Sequence, residues 1–324
     1  MPILANLNFE DSEKPLVSIC VLTYNHESYV EQAIESFLMQ NVNFKVEILI
    51  HDDASKDDTQ LILKKYEKDY PGLFKLLLQE ENQRSKLGGG MNPRFNYPRA
   101  KGKYIALCDG DDYWIDPLKL QKQVDILEKH DNIYICLHPA YSLIDGKILN
   151  KKYGYWGNEF HIISPEKVIS NYITAGLQTI VFRNIYTKDY FGIVRKPVLG
   201  GHSSLQIFYS LIGNGAIYLP DYMATYRVDS TSSISKTLFK QDELYLERQI
   251  NNLYALDRIN KATSYKYRNE LLSLKYYRIN RFFKNIKISY LNFILFFFKK
   301  RFFIQLKFSY ILIISLLKGK YLIR

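Results

Sequence analysis

The chain has 324 residues, 47% hydrophobic and 24% charged, and a formal charge of +11. That length accommodates one large domain or two smaller ones, and the ordinary apolar, Gly and Pro content excludes a disordered or fibrous protein. Twelve of the 44 Lys and Arg, and none of the 33 Asp and Glu, lie between residues 271 and 324, so the first 270 residues are close to neutral.

From the N-terminus, Met1 to Lys14 lacks the basic start and apolar core of a signal peptide, which predicts a cytoplasmic protein. Leu16–Leu22 is an apolar run of strand length ending at Thr23-Tyr24-Asn25-His26, and Tyr29–Met39 carries apolar residues at helical spacing. Val46–Ile50 predicts a second strand, ending at His51-Asp52-Asp53-Ala54-Ser55-Lys56-Asp57-Asp58. Thr59–Tyr70 predicts a helix stopped by Pro71-Gly72, and Leu73–Leu78 a third strand. Gln79–Gly102 reads as a polar, Gly-rich segment. Tyr104–Cys108 predicts a fourth strand, Pro117–His130 a helix with Pro in its first turn, and Ile133–Leu137 another apolar run. The three cysteines, Cys20, Cys108 and Cys136, sit in such runs, as expected of buried, reduced thiols.

The second half is less regular. Ile173–Phe182 is expected as a strand, Leu205–Ile212 as a helix, Ala216–Leu219 as a strand, Tyr226–Ser233 as a polar loop, and Phe239 onward as helical. Alternating strands and helices imply an α/β protein with a mostly parallel sheet and helices on both faces. Ligands in such sheets bind beyond the carboxyl ends of the strands. The polar clusters Thr23–Asn25, Asp52–Asp58 and Asp109–Asp112 all fall at predicted strand ends.

Asp109-Gly110-Asp111-Asp112 is the densest of these, three carboxylates in four positions after a strand. Hard divalent cations favour oxygen ligands of this kind, and Mg²⁺ or Mn²⁺ usually binds one or two carboxylates plus substrate phosphates. A polar turn is the plainer alternative.

Together these stretches resemble a known family. Val17-Ser18-Ile19-Cys20-Val21-Leu22-Thr23-Tyr24-Asn25 looks like the opening strand of family 2 glycosyltransferases. Asp52-Asp53-Ala54-Ser55-Lys56-Asp57-Asp58-Thr59 is similar to their Asp-Asp-Gly-Ser-x-Asp-x-Thr loop, and Asp109-Gly110-Asp111-Asp112-Tyr113-Trp114 resembles their Asp-x-Asp element. The resemblance covers roughly residues 16 to 235. It implies the GT-A fold, a Rossmann-like sheet, with a C-terminal helical extension, divided as 1–238 and 239–324. It implies a nucleotide-diphosphate sugar donor, a UDP-sugar favoured, and a Mn²⁺ or Mg²⁺ cofactor. Thr23, Tyr24, Asn25, Asp52, Asp53 and Asp109 would meet the nucleotide, and Asp111 and Asp112 the metal. Arg84 and Arg227 would face the diphosphate; a solvated loop position for Arg84 and a structural salt bridge for Arg227 are the alternatives. Asp57 and Asp58 read equally well as helix caps.

An inverting sugar transfer also needs a base for the acceptor hydroxyl. The family usually supplies an Asp before a helix of the second half. Here Leu199-Gly200-Gly201-His202-Ser203-Ser204-Leu205 holds no acid, and His202 is nearest to that position, as a base or as a capping residue. His138 could line the acceptor side or serve the structure. Residues 271–324 interleave the twelve cations with fourteen aromatics, and no uncharged run reaches bilayer-spanning length. That pattern suits an anionic membrane surface better than nucleic acid; a packed helical subdomain is the alternative. The expectation is an enzyme peripheral to the inner face of the cell membrane, acting on a glycan or lipid-linked acceptor. The competing readings are a nucleotidyltransferase and a degenerate nucleotide-sugar-binding protein.

Overall fold

A computed structural model describes residues 4, 13–87, 89–170, 175–185, 202–228 and 242–285. Val17–Thr23 (β1), Val46–Asp52 (β2), Phe74–Leu78 (β3) and Tyr104–Asp109 (β4) form a parallel block in the order β3-β2-β1-β4. β1 is buried at every position but Leu22, which is why it reads as a nearly continuous apolar run. The sheet grows past β4 through Val181–Arg183 (β10), Ile135–Leu137 (β6), Ala216–Tyr218 (β11) and His161–Ile163 (β9), of which β10 runs antiparallel to both neighbours.

Val30–Leu38 (α1) packs Val30, Ala33, Ile34, Phe37 and Leu38 into the core, one face at i, i+3, i+4, i+7 and i+8. Thr59–Asp69 (α2) and Lys119–Glu128 (α4) are the other long helices of the first 130 residues; Gln83–Leu87 (α3) is a short one between β3 and β4. A second, four-stranded sheet joins Tyr113–Trp114 (β5), Ala224–Arg227 (β12), Ala140–Ile144 (β7) and Lys147–Tyr153 (β8).

Three expectations change. The segment from Gln79 to Gly102 is not simply a loop: it holds α3 and helical turns over Asn92–Asn96 and Tyr97–Arg99, tied down by Asn96 Nδ2 donating to the Val21 carbonyl at 2.9 Å. The strand expected over 173–182 begins only at Val181, after a 3₁₀ turn at Leu177–Thr179; residues 171–174 lie outside the described ones. Tyr226 and Arg227 end strand β12, paired with β7, and do not belong to a loop. The remainder of that segment, 229–233, lies outside the described residues, as does the chain beyond 285.

By compactness the chain divides into Met1–Arg268 and Asn269–Arg324. The first unit contains both sheets and the helices through Asp242–Ala262. All three cysteines are buried and unpaired, and burial pushes the Cys20 and Cys108 thiols far up and that of Cys136 to about 12.

Candidate active site

The strand order places β2 on one side of β1 and β4 on the other, so the crevice at this reversal receives the C-terminal loops of all three. Register fixes the neighbours: Thr23 is opposite Asp52, and Leu22 is opposite Asp109.

Asp52 is fully buried and pins the loops together. Its Oδ1 accepts from the Ser55 N–H at 3.0 Å and from Gln60 Nε2 at 2.6 Å; its Oδ2 accepts from Thr23 Oγ1 at 2.9 Å and Ser55 Oγ at 2.5 Å. A carboxylate offers about four acceptor positions, so all of them face protein donors and none is left for a nucleotide. Asp53 differs. It receives the N–H groups of Gln83 at 2.7 Å and Arg84 at 3.1 Å, one per oxygen, and each oxygen keeps a second acceptor position.

The turn Asn25–Ser55 is similarly cross-linked. The Asn25 N–H donates to Ser55 Oγ at 2.9 Å, and the Lys56 N–H to Asn25 Oδ1 at 2.8 Å. Asn25 has φ 53° and Ala54 φ 63°, the left-handed region. Ala54 stands where the resembled motif carries Gly, and this φ gives the physical reason for a glycine there. Asp57, against its partial burial, is held below the usual carboxylate range by donors from Thr59 and the Glu27 N–H; it therefore ties α2 to the start of α1. Tyr24 is 38% exposed at the same rim.

The acidic turn follows β4. Asp109 Oδ1 is shut off from solvent with no hydrogen-bond partner. Burial, then the charge of Asp111, raise the Asp109 pKa to about 7, opposed by Arg84. Arg84 thus lies near enough to Asp109 to be felt. Asp112 is buried, and burial and Asp111 raise it well above the usual range, although its Oδ1 accepts the Arg227 N–H at 2.7 Å. Arg227 Nε donates to the Asp111 carbonyl at 2.9 Å and Nη2 to Gln32 Oε1 at 2.9 Å, with the guanidinium 4.6 Å from the Tyr29 ring centroid. Tyr226, stacked on Tyr153 at 5.0 Å, feels all three acids.

The turn is anchored from behind. Trp114 donates to Ser36 Oγ through its backbone and to the Gln178 carbonyl through its indole, and packs edge-on against Phe37 at 4.8 Å. Gly110 is required by crowding: a Cβ there would lie 2.6 Å from Thr23 Cγ2 and 2.9 Å from His26 Nδ1.

His26 is a site residue that the sequence pattern missed by one position. It is 7% exposed, with Nε2 3.9 Å from Asp111 Oδ2 and Nδ1 buried without a partner. Burial lowers its pKa, against Asp111, Asp57 and Asp52. The available signal was Gly110 itself, since a glycine between acids marks a close neighbour. Arg99, after the helical turns, donates to the Phe95 carbonyl at 2.9 Å and to Asn96 Oδ1 at 2.8 Å and so serves the structure. His138 is fully buried, with Nδ1 2.8 Å from the Pro139 carbonyl oxygen, and serves the structure. His202 begins the helix His202–Ile212; its side chain lies outside the described residues.

Asp109 and Asp112, each raised by burial and then by the charge of Asp111, with an unpartnered buried oxygen on Asp109, form a site deficient in positive charge. Among the described residues no three His, Cys, Asp or Glu side chains converge as a complete ligand set. Carboxylate oxygens short of positive charge are the donors that fit a hard divalent cation, which takes one or two carboxylates and completes its shell with phosphate oxygens.

Residues 18–188 match the family model described as Glycosyl transferase family 2. Among curated relatives, the uncharacterized protein Rv1520 of Mycobacterium tuberculosis is 43% identical over 124 residues, 38% of this chain and 35% of that protein. The chain thus spans about a third of the length of the first curated relatives it matches. The putative teichuronic acid biosynthesis glycosyltransferase TuaG of Bacillus subtilis is 28% identical over 248 residues, 74% of this chain and 90% of TuaG. The solved structure of S. aureus TarS 1–349 in complex with UDP-GlcNAc aligns with a TM-score of 0.49 at 16% identity, over 83% of this chain and 81% of that one. With its acids and turns at the ends of β1, β2 and β4, and with more than half its length matched by the family model, this chain belongs to glycosyl transferase family 2.

Proposed function

We propose that this protein is an inverting, metal-dependent glycosyltransferase that moves a sugar from a UDP-sugar to a glycan or lipid-linked acceptor in bacterial surface polysaccharide synthesis. The observation that carries this reading is the convergence of the Thr23–Asn25, Asp53 and Asp109–Asp112 loops at one crevice, with three acids short of positive charge. The name of TuaG, a relative matched over most of its length, supports the polysaccharide context. Family membership favours sugar transfer over nucleotidyl transfer.

In this reading Asp53 accepts the N–H of the uracil edge through its remaining lone pairs, and the Thr23–Asn25 turn meets base and ribose through backbone groups. Asp109 faces the ribose. Arg84 and Arg227 add positive charge at the diphosphate. Asp111 and Asp112 would hold Mn²⁺ or Mg²⁺, which supplies Lewis-acid stabilisation of the leaving diphosphate when bound. The acceptor oxygen forms the new bond to the anomeric carbon as the bond to phosphate breaks, and UDP leaves with the electron pair. The acceptor proton passes to a base, which we assign to His202. An imidazole is suited to that task near neutral pH. The basic, aromatic residues 271–324 bring the enzyme to the anionic membrane surface that carries its acceptor. No helix among the described residues is long and apolar enough to cross a membrane.

The test is hydrolysis and transfer by the full chain with a panel of labelled UDP-, GDP- and dTDP-sugars, with Mn²⁺ or with EDTA. Consumption of a UDP-sugar only with the cation, lost by at least about 100-fold in Asp111→Asn, is expected. No consumption or binding of any nucleotide sugar would overturn the reading.

A further inference from the structure

Each of the three acids in the turn has a positively polarised neighbour. Asp109 has Arg84, and Asp112 has the Arg227 N–H at 2.7 Å. On the flank of Asp111 toward β1 lies the imidazole of His26, with Nε2 3.9 Å from Oδ2. The ring is held there from several sides. The His26 N–H donates to Thr59 Oγ1 at 2.8 Å, the Tyr29 ring meets the imidazole edge-on at 6.4 Å, and the backbone of Gly110 leaves no room for a Cβ between the turn and Nδ1. With 7% of its surface exposed, His26 has little direct access to a ligand.

We propose that His26 is a positioning residue for Asp111: from beneath the Gly110 turn Nε2 faces the carboxylate at 3.9 Å, outside hydrogen-bond reach, and donates to it as Asp111 turns to meet a donor-bound cation, which fixes the direction of that approach. The inference rests on the donor-site reading above and adds to it a residue that never touches the substrate. Carboxylates that ligate metals depend on such supporting donors, whose loss typically weakens metal binding about 10- to 100-fold. Nothing else is asked of the ring, because Nδ1 has no hydrogen-bond partner.

Two variants separate positioning from packing. In His26→Gln the amide nitrogen occupies nearly the place of Nε2 and keeps a donor toward Asp111. In His26→Leu the volume is kept and the donor is lost. UDP binding to the full chain is titrated by calorimetry at fixed excess Mn²⁺ and again in EDTA, with the urea unfolding midpoint measured for each variant. The expected result is Mn²⁺-dependent UDP affinity near wild type in His26→Gln and reduced about 10-fold or more in His26→Leu, whichever of the two is the more stable. If His26→Leu binds as wild type does, or if affinity simply follows the unfolding midpoint, the positioning role is wrong. If wild type itself shows no Mn²⁺-dependent UDP binding, the donor-site reading fails and this inference falls with it.

Discussion

Lys119 shows what a single residue can reveal about the ground beneath the site. It is wholly buried two positions after Pro117, and its Nζ donates to Gln123 Oε1 at 2.7 Å and lies 4.2 Å from the Trp114 ring centroid. Desolvation lowers its pKa from 10.5 to about 7, only partly countered by Cys108, Cys136 and Asp116. Between those two values the unfolded chain binds more protons at this residue than the folded one, so its contribution to stability rises with pH across that window. Lys119→Met removes the titration while keeping most of the volume. Urea midpoints of both proteins at pH 7 and pH 9 give the check: the wild type should gain on the variant as pH rises. A constant difference between them would mean that Lys119 ionises as an exposed lysine does.

At the scale of elements, Asp52 is the joint between β1, β2 and α2, through Thr23, Ser55 and Gln60. The two partners of Oδ2 are hydroxyls, which can turn and accept, whereas the partners of Oδ1 are N–H donors, which cannot. Asp52→Asn can therefore keep its oxygen at Oδ1 and place its amide against the hydroxyls. Asp52→Ala leaves buried donors unsatisfied, at about 1–3 kcal/mol for each such group. Unfolding midpoints should show Asp52→Ala destabilised by about 3 kcal/mol and Asp52→Asn by less than half of that; equal losses would show that charge, not hydrogen-bond direction, matters at this joint. This also marks how far the sequence could be read. The strands β1 to β4 and helices α1, α2 and α4 were legible because apolar periodicity is set by the very burial that holds them. That Asp52 and Asp53 matter was legible from their place at a strand end. Their division of labour was not, because it depends on which way each carboxylate faces, a property of neighbouring loops and not of spacing. The helical turns at Asn92–Arg99 escaped for a related reason. They are held by polar side chains such as Asn96 and Arg99, which leave no apolar stripe in the sequence.

At the scale of the whole molecule, charge is distributed in two unlike parts. The first 270 residues are nearly balanced, while 271–324 carry twelve cations and no acid. The compact unit Met1–Arg268 holds both sheets and all three loops of the proposed donor site. A cationic surface near an anionic leaflet gains about 1 kcal/mol per Lys or Arg, and aromatic rings settle at the headgroup boundary. Twelve cations and fourteen aromatics in 54 residues have the composition that such a surface attracts. The full chain should therefore float with liposomes containing anionic lipid, bind neutral liposomes more weakly, and lose part of its binding as salt screens the charges. A chain ending at Arg268 should stay in the bottom fraction yet keep Mn²⁺-dependent UDP binding, because it carries all three of those loops. If both chains float equally, the basic segment is not the membrane-binding element. If the shorter chain loses UDP binding while remaining folded by circular dichroism, the segment serves the donor site instead, and the division of the molecule into a neutral catalytic body and a cationic anchor is wrong.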